Sequence, residues 1–314
     1  MPPDLVSDHR QSEGADKEIA DDRQFATLGP VLPEAVKAER HLGRERPRPQ
    51  KDPYRTNQAL WNRGPGRMFQ PPQTACSRGR LSLISVVIPV LNEAAQLPDL
   101  LRALLAEPVS REIIVIDGGS VDGTAEAARE AGATLVASAP RGRGQQIAAG
   151  AAAACGEALL FLHANCVFPP GGLVAVERLL REQPEVVGGN FRLLFDGEDS
   201  FSRWLTGFYA LIRRLGFYYG DSGIFVRRTA LDAIGGVRPM ALMEDYDLIR
   251  RLRRVGPSVC VAEPPLVTSS RRFAGRHPVA IVFGWVRIHL LYWLGADPER
   301  LALLYDSERR RARG

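Results

Sequence analysis

The chain has 314 residues, enough for one large domain or two, and 45% hydrophobic with 25% charged residues is a soluble globular composition that excludes wholesale disorder. The net charge of +5 owes much to Arg309, Arg310, Arg311 and Arg313 in the last nine residues. No RNP-type, zinc-finger or basic-zipper pattern accompanies it, so no nucleic-acid partner is expected. Cys76, Cys155, Cys166 and Cys260 lie far apart with no Cys-x-x-Cys pair, which argues against a zinc knuckle or disulfide framework and fits a reducing compartment. The N-terminus shows no apolar signal-peptide core, so the default expectation is a cytoplasmic protein.

Residues 1–80 are rich in Pro, Arg, Glu, Asp and Gln and show almost no apolar periodicity, with at most a short helix over Pro33–Leu42. Such a segment buries too little apolar surface to offset its ordering entropy and reads as a disordered extension. Structure is expected from Ile84, where Ile84–Val90 is a continuous apolar run of strand length. A helical pattern follows over Ala94–Leu105, then a strand over Glu112–Ile116 and a helix over Val121–Ala131. A strand at Ala133–Ala137, a helix at Gln145–Ala154, a strand at Ala158–Leu162 and a helix at Gly172–Leu180 continue the alternation. Short apolar strands alternating with helices predict βαβ units around a mostly parallel, buried sheet flanked by helices, an α/β fold.

Beyond Val186 the pattern becomes irregular, with strands at Val187–Phe195 and Gly223–Arg227 and helices at Phe201–Leu215 and Asp245–Val255. This divides the expected domain, 81–305, into a first half (81–185) and a second half (186–305), followed by a basic tail at 306–314. The last apolar stretch, Val279–Leu294, reads first as a core helix, second as a membrane-surface helix and last as a span. Arg287 and His289 sit mid-way along it, and a central Arg costs about 2.5–3.5 kcal/mol in a bilayer even on the lenient insertion scale. Trp285, Tyr292 and Trp293 with flanking Arg suit an interface.

Ligands of a parallel sheet bind beyond the carboxyl ends of its strands, and the polar interruptions of this chain fall there. After the first strand come Asn92 and Glu93, which either start a helix as cap and first-turn acid or border a site. After the second comes Asp117-Gly118-Gly119-Ser120-Val121-Asp122-Gly123-Thr124. Asp117 ends an apolar run, where an acid is costly to bury without a partner; Asp122 reads first as a helix N-cap. Arg141-Gly142-Arg143-Gly144 is either a solvated turn or a loop whose guanidinium groups approach a diphosphate. His163 and Asn165 follow the fourth strand and share a face by strand period. Further on, Asp245, Leu248, Ile249 and Leu252 fall at i, i+3, i+4 and i+7, which turns Asp245 inward and fits a general base. Asp247 instead faces Arg250, Arg251 and Arg254 and reads as a solvated, ion-paired surface.

The motifs VVIPVLNE (86–93), DGGSVDGT (117–124), FLHAN (161–165), GDSGIFVRR (220–228) and MEDYDL (243–248) together resemble the family 2 glycosyltransferases of the GT-A (nucleotide-diphospho-sugar transferase) fold. Within that family the chain is similar to the bacterial arsenosugar-biosynthesis-associated or carotenoid-type branch, over roughly residues 82–305. The resemblance implies an inverting transfer of a sugar from a nucleotide-diphospho-sugar to an acceptor hydroxyl, with Asp245 as catalytic base. It implies nucleotide-sugar contacts from Pro89, Asn92, Glu93, Asp117, Ser120, Arg141, Arg143, His163, Arg271 and Arg272. It makes 81–185 the nucleotide-binding half and 186–305 the acceptor half. Together with the Val279–Leu294 stretch it suggests an apolar acceptor, contact with a membrane surface, and a peripheral place on the inner face of the plasma membrane.

The same resemblance implies a divalent cation, Mg or Mn, held by an acidic motif at 163–165. There Asn165 stands where the branch has Asp, which removes one negative charge from that metal position. Ser222 likewise stands where the branch has Gln. The alternative is a degenerate, nucleotide-sugar-binding relative with little turnover, for which Asn165 counts and against which the retained Asp245 counts. A nucleotidyltransferase would need a glycine-rich basic loop after the first strand, and a dinucleotide-dependent oxidoreductase a G-x-G-x-x-G there. This chain has PVLNEAAQL instead.

Overall fold

The computed structural model describes residues 83–273 and 276–311, and the side chains of Arg271, Arg272 and residues 306–311 are outside that description. The extension read at 1–80 lies outside the described residues as well. At the centre of the first half runs β1 (Ile84–Val90), between β2 (Arg111–Asp117) and β4 (Ala158–Phe161), with β3 (Leu135–Ser138) beyond β2. All these pairings are parallel. They are connected by α1 (Leu97–Leu105), α2 (Thr124–Glu130) and α3 (Arg143–Ala153), the βαβ alternation that the sequence predicts.

Beyond β4 the sheet changes sense. There β7 (Ile224–Arg227) runs antiparallel to β4, β6 (Gly188–Phe195) antiparallel to β7, and β8 (Ser258–Thr268) parallel to β6; the two-residue β5 (Cys166–Val167) closes the edge against β8. The eight strands lie in the order β3-β2-β1-β4-β7-β6-β8-β5, so the α/β sheet is mixed. The sequence reading has no strand at 258–268. Pro264 and Pro265 interrupt its apolar pattern, and the register against β6 slips at this point, between Phe191 and Leu193.

Side-chain alternation on β1 explains why its whole run is apolar. Val86, Ile88 and Val90 point into one core with Leu97, Leu101 and Leu104 of α1 and with α4 (Gly172–Glu182), while Val87 points into a second core with Ile147 and Ala151 of α3. The small residues of α3 let it lie close on the sheet: a Cβ at Gly150 would come within 2.3 Å of Val87 Cγ1. A third core belongs to the second half and joins α5 (Ser200–Arg214), α8 (Pro278–Trp293) and Leu301 of α9 (Pro298–Arg311), with Tyr209, Tyr219, Tyr246 and Ile288 inside it. Between β7 and β8 lie α6 (Arg228–Ala233) and α7 (Glu244–Leu252).

The inward face read for α7 holds, since Asp245, Leu248, Ile249 and Leu252 are all buried. The solvated face read for Asp247 does not. Asp247 is 0% exposed and accepts a 2.7 Å hydrogen bond from Arg251 Nε, with Arg238 on its other oxygen. Tertiary packing of α7 on both sides overrides the helix-surface pattern, and Arg251 completes the burial by donating to the carbonyls of Ile234 and Gly236.

On α8, Val279, Phe283, Val286, Leu290 and Trp293 recur at spacings of three and four and remain exposed, whereas Ile281 and Ile288 on the opposite side and His289 at the flank are buried. Among the described residues no helix is long and apolar enough to cross a membrane.

The N-terminus of α3 is held by a close backbone approach, because a Cβ at Gly144 would fall 2.1 Å from the carbonyl oxygen of Met240. A Gly144→Ala substitution is therefore expected to destabilise the protein by about 1–3 kcal/mol, as overpacking against an unyielding neighbour does. Urea unfolding measures this; an unchanged midpoint would show that the approach is not a constraint.

Candidate active site

The carboxyl ends of β1 and β2 are tied into one structure. Asp117 is buried and curls back on its own loop, accepting hydrogen bonds from the amides of Gly119 and Ser120 and from the Ser120 hydroxyl. Those bonds answer the burial cost of an acid at the end of an apolar strand. The loop then clasps the end of β1. Ser120 Oγ accepts from the Asn92 amide at 2.9 Å, Asn92 Oδ1 accepts from the Val121 amide at 2.9 Å, and Thr124 Oγ1 accepts from the Glu93 amide at 2.9 Å. Asn92 takes a left-handed φ of 56° to do this, and helix α1 starts only after Gln96, so the helix-cap reading of Asn92 and Glu93 gives way to this clasp.

Gly123 holds the cap position of α2 read for Asp122, which accepts instead from the amides of Thr124 and Ala94. Those bonds, the Thr124 hydroxyl foremost, hold the Asp122 carboxyl below its usual range. Pro89 lies one residue before the end of β1, opposite Ile116 of β2.

Helix α3 joins this clasp to the second half of the fold. Gln146, a residue the sequence reading passes over, is buried, and its side-chain amide donates to the carbonyls of Val90 at 2.7 Å and Ile116 at 2.8 Å. It ties the carboxyl ends of β1 and β2 to α3, and an amide in an alanine-rich helix gives no sequence signal for that role. One turn earlier, Arg143 pairs with Glu244 at the start of α7, and Glu244 is 1% exposed. Burial pulls the Arg143 guanidinium down, but Glu244, Asp245 and Asp221 around it more than reverse this and hold it above its ordinary value. Burial pushes the Glu244 carboxyl up despite the attraction of Arg143. Arg143 and Gly144 thus belong to the helix itself. Arg141 is exposed just before the helix, two residues from it.

The third cluster forms where β4 ends. His163 Nδ1 lies 3.0 Å from Asp221 Oδ1, in a short 3-10 turn at Gly220–Ser222, and the amide of Gly220 donates to Asp245 Oδ2 at 3.0 Å. Strand β4 stops at Phe161, so residues 163–165 form a turn and the strand-period argument for a shared face of His163 and Asn165 fails. Asp221 and Glu244 were not singled out in the sequence; both sit inside motifs, beside residues that were.

Asp245 opens onto a cleft of about 150 Å³ whose other walls include Arg143, Asp221, Tyr219, Trp285 and Tyr305. The aromatic wall is rigidly bonded. The Tyr219 hydroxyl and His289 Nε2 are 2.9 Å apart, His289 Nδ1 lies 2.8 Å from the Trp285 carbonyl, and Trp293 Nε1 donates to the Tyr246 hydroxyl at 2.8 Å. Burial lowers His289, which favours the neutral imidazole.

The residues present do not form the donor set of a Mg or Mn ion. Asn165 offers a neutral amide, and Asp117 spends its carboxylate on its own loop. No group of three His, Cys, Asp or Glu side chains suited to an ion gathers among the described residues. Arg271 and Arg272 lie in a 3-10 turn at Ser270–Phe273, and the placement of their side chains is outside the described residues.

A clasped acidic loop at the carboxyl edge of a parallel βαβ half, joined to a half that turns an acid into a cleft, defines a GT-A-type nucleotide-diphospho-sugar transferase fold. A mannosyltransferase from Pyrobaculum calidifontis, solved in complex with GDP-Man and Mn2+, shares it with a TM-score of 0.51 and 18% identity, covering 74% of this chain and 70% of its own. Residues 85–235 match the model of glycosyl transferase family 2, and the chain carries a domain of that family. An undecaprenyl-phosphate 4-deoxy-4-formamido-L-arabinose transferase of Pseudomonas aeruginosa is 32% identical over 161 residues, 47% of either chain. A 4,4'-diaponeurosporenoate glycosyltransferase of Staphylococcus haemolyticus is 50% identical over 52 residues, 17% of this chain and 14% of its own. The chain thus spans less than half the length of these curated relatives.

Replacing Arg143 by Met strands the Glu244 carboxylate. The expected loss at neutral pH is about 3 kcal/mol, the low end for breaking a buried pair because Arg143 is itself partly exposed. Glu244 already binds its proton more tightly folded than unfolded, and without Arg143 it does so more strongly. The unfolded value is common to both proteins, so the deficit opens as pH rises past the wild-type folded value, itself above 4.5, and widens towards the variant's still higher one. Urea unfolding at pH 5 and pH 8 reads this, and equal losses at both would contradict the pairing.

Proposed function

We propose that this protein transfers a sugar from a nucleotide-diphospho-sugar to an acceptor hydroxyl with inversion, Asp245 acting as general base. What supports this most is the position of Asp245, held by the Gly220 amide and opening onto a cleft with an aromatic wall. In the step, Asp245 takes the proton of the acceptor hydroxyl. The oxygen attacks the anomeric carbon from the face opposite the leaving group, and the bond to the diphosphate breaks as the nucleoside diphosphate departs. Pro89, Asn92, Glu93, Asp117 and Ser120 border the nucleoside; His163 borders the sugar. Positive charge on the leaving diphosphate falls to Arg141 and Arg143, with Arg271 and Arg272 as further contributors.

The acceptor is read as apolar, because Tyr219, Trp285 and Tyr305 line the cleft onto which Asp245 opens. The same helix that supplies Trp285 exposes Val279, Phe283, Val286, Leu290 and Trp293 on its outer face, with Arg287 among them. We read that face as a surface that rests on the cytoplasmic side of a membrane, which would bring an apolar alcohol to the cleft mouth. Leu290→Glu is expected to abolish co-sedimentation with anionic phospholipid vesicles, and undiminished binding would remove this face from the reading.

Asp245→Asn is expected to lower kcat by about 10²–10⁴-fold, the range for losing a general base, while the affinity for the nucleotide stays within about twofold. Steady-state release of nucleoside diphosphate together with calorimetric titration checks both. Unchanged turnover would remove Asp245 as the base. A wild-type protein that binds a nucleotide-sugar without turnover would instead favour the degenerate relative to which Asn165 points.

A further inference from the structure

The turn at Gly220–Ser222 is held from both sides, and the two anchors meet at one backbone amide. On one side, His163 Nδ1 lies 3.0 Å from Asp221 Oδ1, and Asp221 is 5% exposed with the Tyr209 hydroxyl on its second oxygen at 3.4 Å. A carboxylate only accepts, so Nδ1 carries the proton of this bond and, in the neutral ring, Nε2 is a bare lone pair. That Nε2 is buried, has no hydrogen-bond partner, and ends against Gly220: a Cβ there would sit 2.9 Å from it and 3.6 Å from Asp245 Oδ2. On the other side, the Gly220 amide donates to that same Asp245 oxygen at 3.0 Å. Ser222 locks the turn, its hydroxyl donating to the Tyr219 carbonyl at 2.7 Å.

We propose that His163 and Asp221 are positioning residues for the base: by fixing the 3-10 turn they aim the Gly220 N–H at Asp245 Oδ2, and so set the orientation of the carboxylate towards the cleft. This rests on the reading of Asp245 as base. A side chain at 220 would press on the imidazole, its Cβ 2.9 Å from His163 Nε2, and so displace the turn, although the backbone there is open to any residue. The donor specificity of His163 Nδ1 explains why Asp, an obligate acceptor, stands at 221. A carboxylate oriented by a fixed amide loses less rotational freedom when the proton moves, which acts on turnover rather than on nucleotide binding.

The test uses the full chain with Asp221→Asn, Gly220→Ala and Asp245→Asn, singly and combined. Nucleoside diphosphate release is followed from a panel of UDP-, GDP- and TDP-sugars. Asp221→Asn and Gly220→Ala are each expected to lower kcat about tenfold or more with the donor KM within about twofold, and to have no further effect once Asp245 is Asn. Additive losses in the double variants, or a loss confined to KM, would overturn the proposal.

A second readout needs no activity. In protein labelled with 13C at the aspartate carboxyls, the Asp245 signal, assigned from its disappearance in Asp245→Asn, is expected to move in Asp221→Asn and in Gly220→Ala. A stationary signal would overturn the link even if no nucleotide-sugar is turned over. A moving signal with no turnover from any sugar would sustain the link and count against the catalytic reading alone.

Discussion

The pair between half-buried Arg143 and buried Glu244 carries the architecture of the site. Arg143 opens the helix whose next turn, through Gln146, caps the carboxyl ends of β1 and β2. Glu244 opens the helix that carries Asp245. One ion pair therefore fixes the carboxyl edge of the sheet relative to the candidate base. Its geometry is reinforced where Gly144 meets the Met240 backbone with no room for a side chain. The Glu244 oxygen left without a partner shows that this contact is held at some cost in hydrogen bonding, which a pair serving stability alone would not require.

From that constraint the division of labour in the fold follows. The parallel half is buried on both faces and contributes backbone: its strand ends and the DGGSVDGT loop are cross-linked by amides and hydroxyls into a rigid rim. The second half contributes side chains. It gathers Asp221, Asp245 and the bonded ring system of Tyr219, His289 and Trp285 around one cleft. A polar, rigid donor side facing an aromatic side suits a reaction in which a charged nucleotide-sugar meets an acceptor of lower polarity.

Much of the first half was legible in the sequence because strands buried on both faces must be apolar, as Val86–Val90 and Ile113–Ile116 are without interruption. Asp245 was legible because its helix repeats with the right period. Strand β8 was not, since its paired residues are separated by Glu263, Pro264 and Pro265, which no local pattern assigns to a sheet. Asp247 was misread for a related reason: helix periodicity predicts one buried face, whereas α7 is buried nearly all round. Gln146, Asp221 and Glu244 escaped because each acts through a partner remote in sequence, at Val90, His163 and Arg143. Only the fold brings those partners together.

The central claim is that this rim and cleft receive a nucleotide-diphospho-sugar, and the most direct measurement is the melting temperature of the full-length protein against UDP, GDP, TDP and their common sugars. The account predicts that one nucleotide class raises it, by an amount equivalent to about 2.7 kcal/mol at a hundredfold excess over its dissociation constant. No shift with any nucleotide or nucleotide-sugar would contradict it.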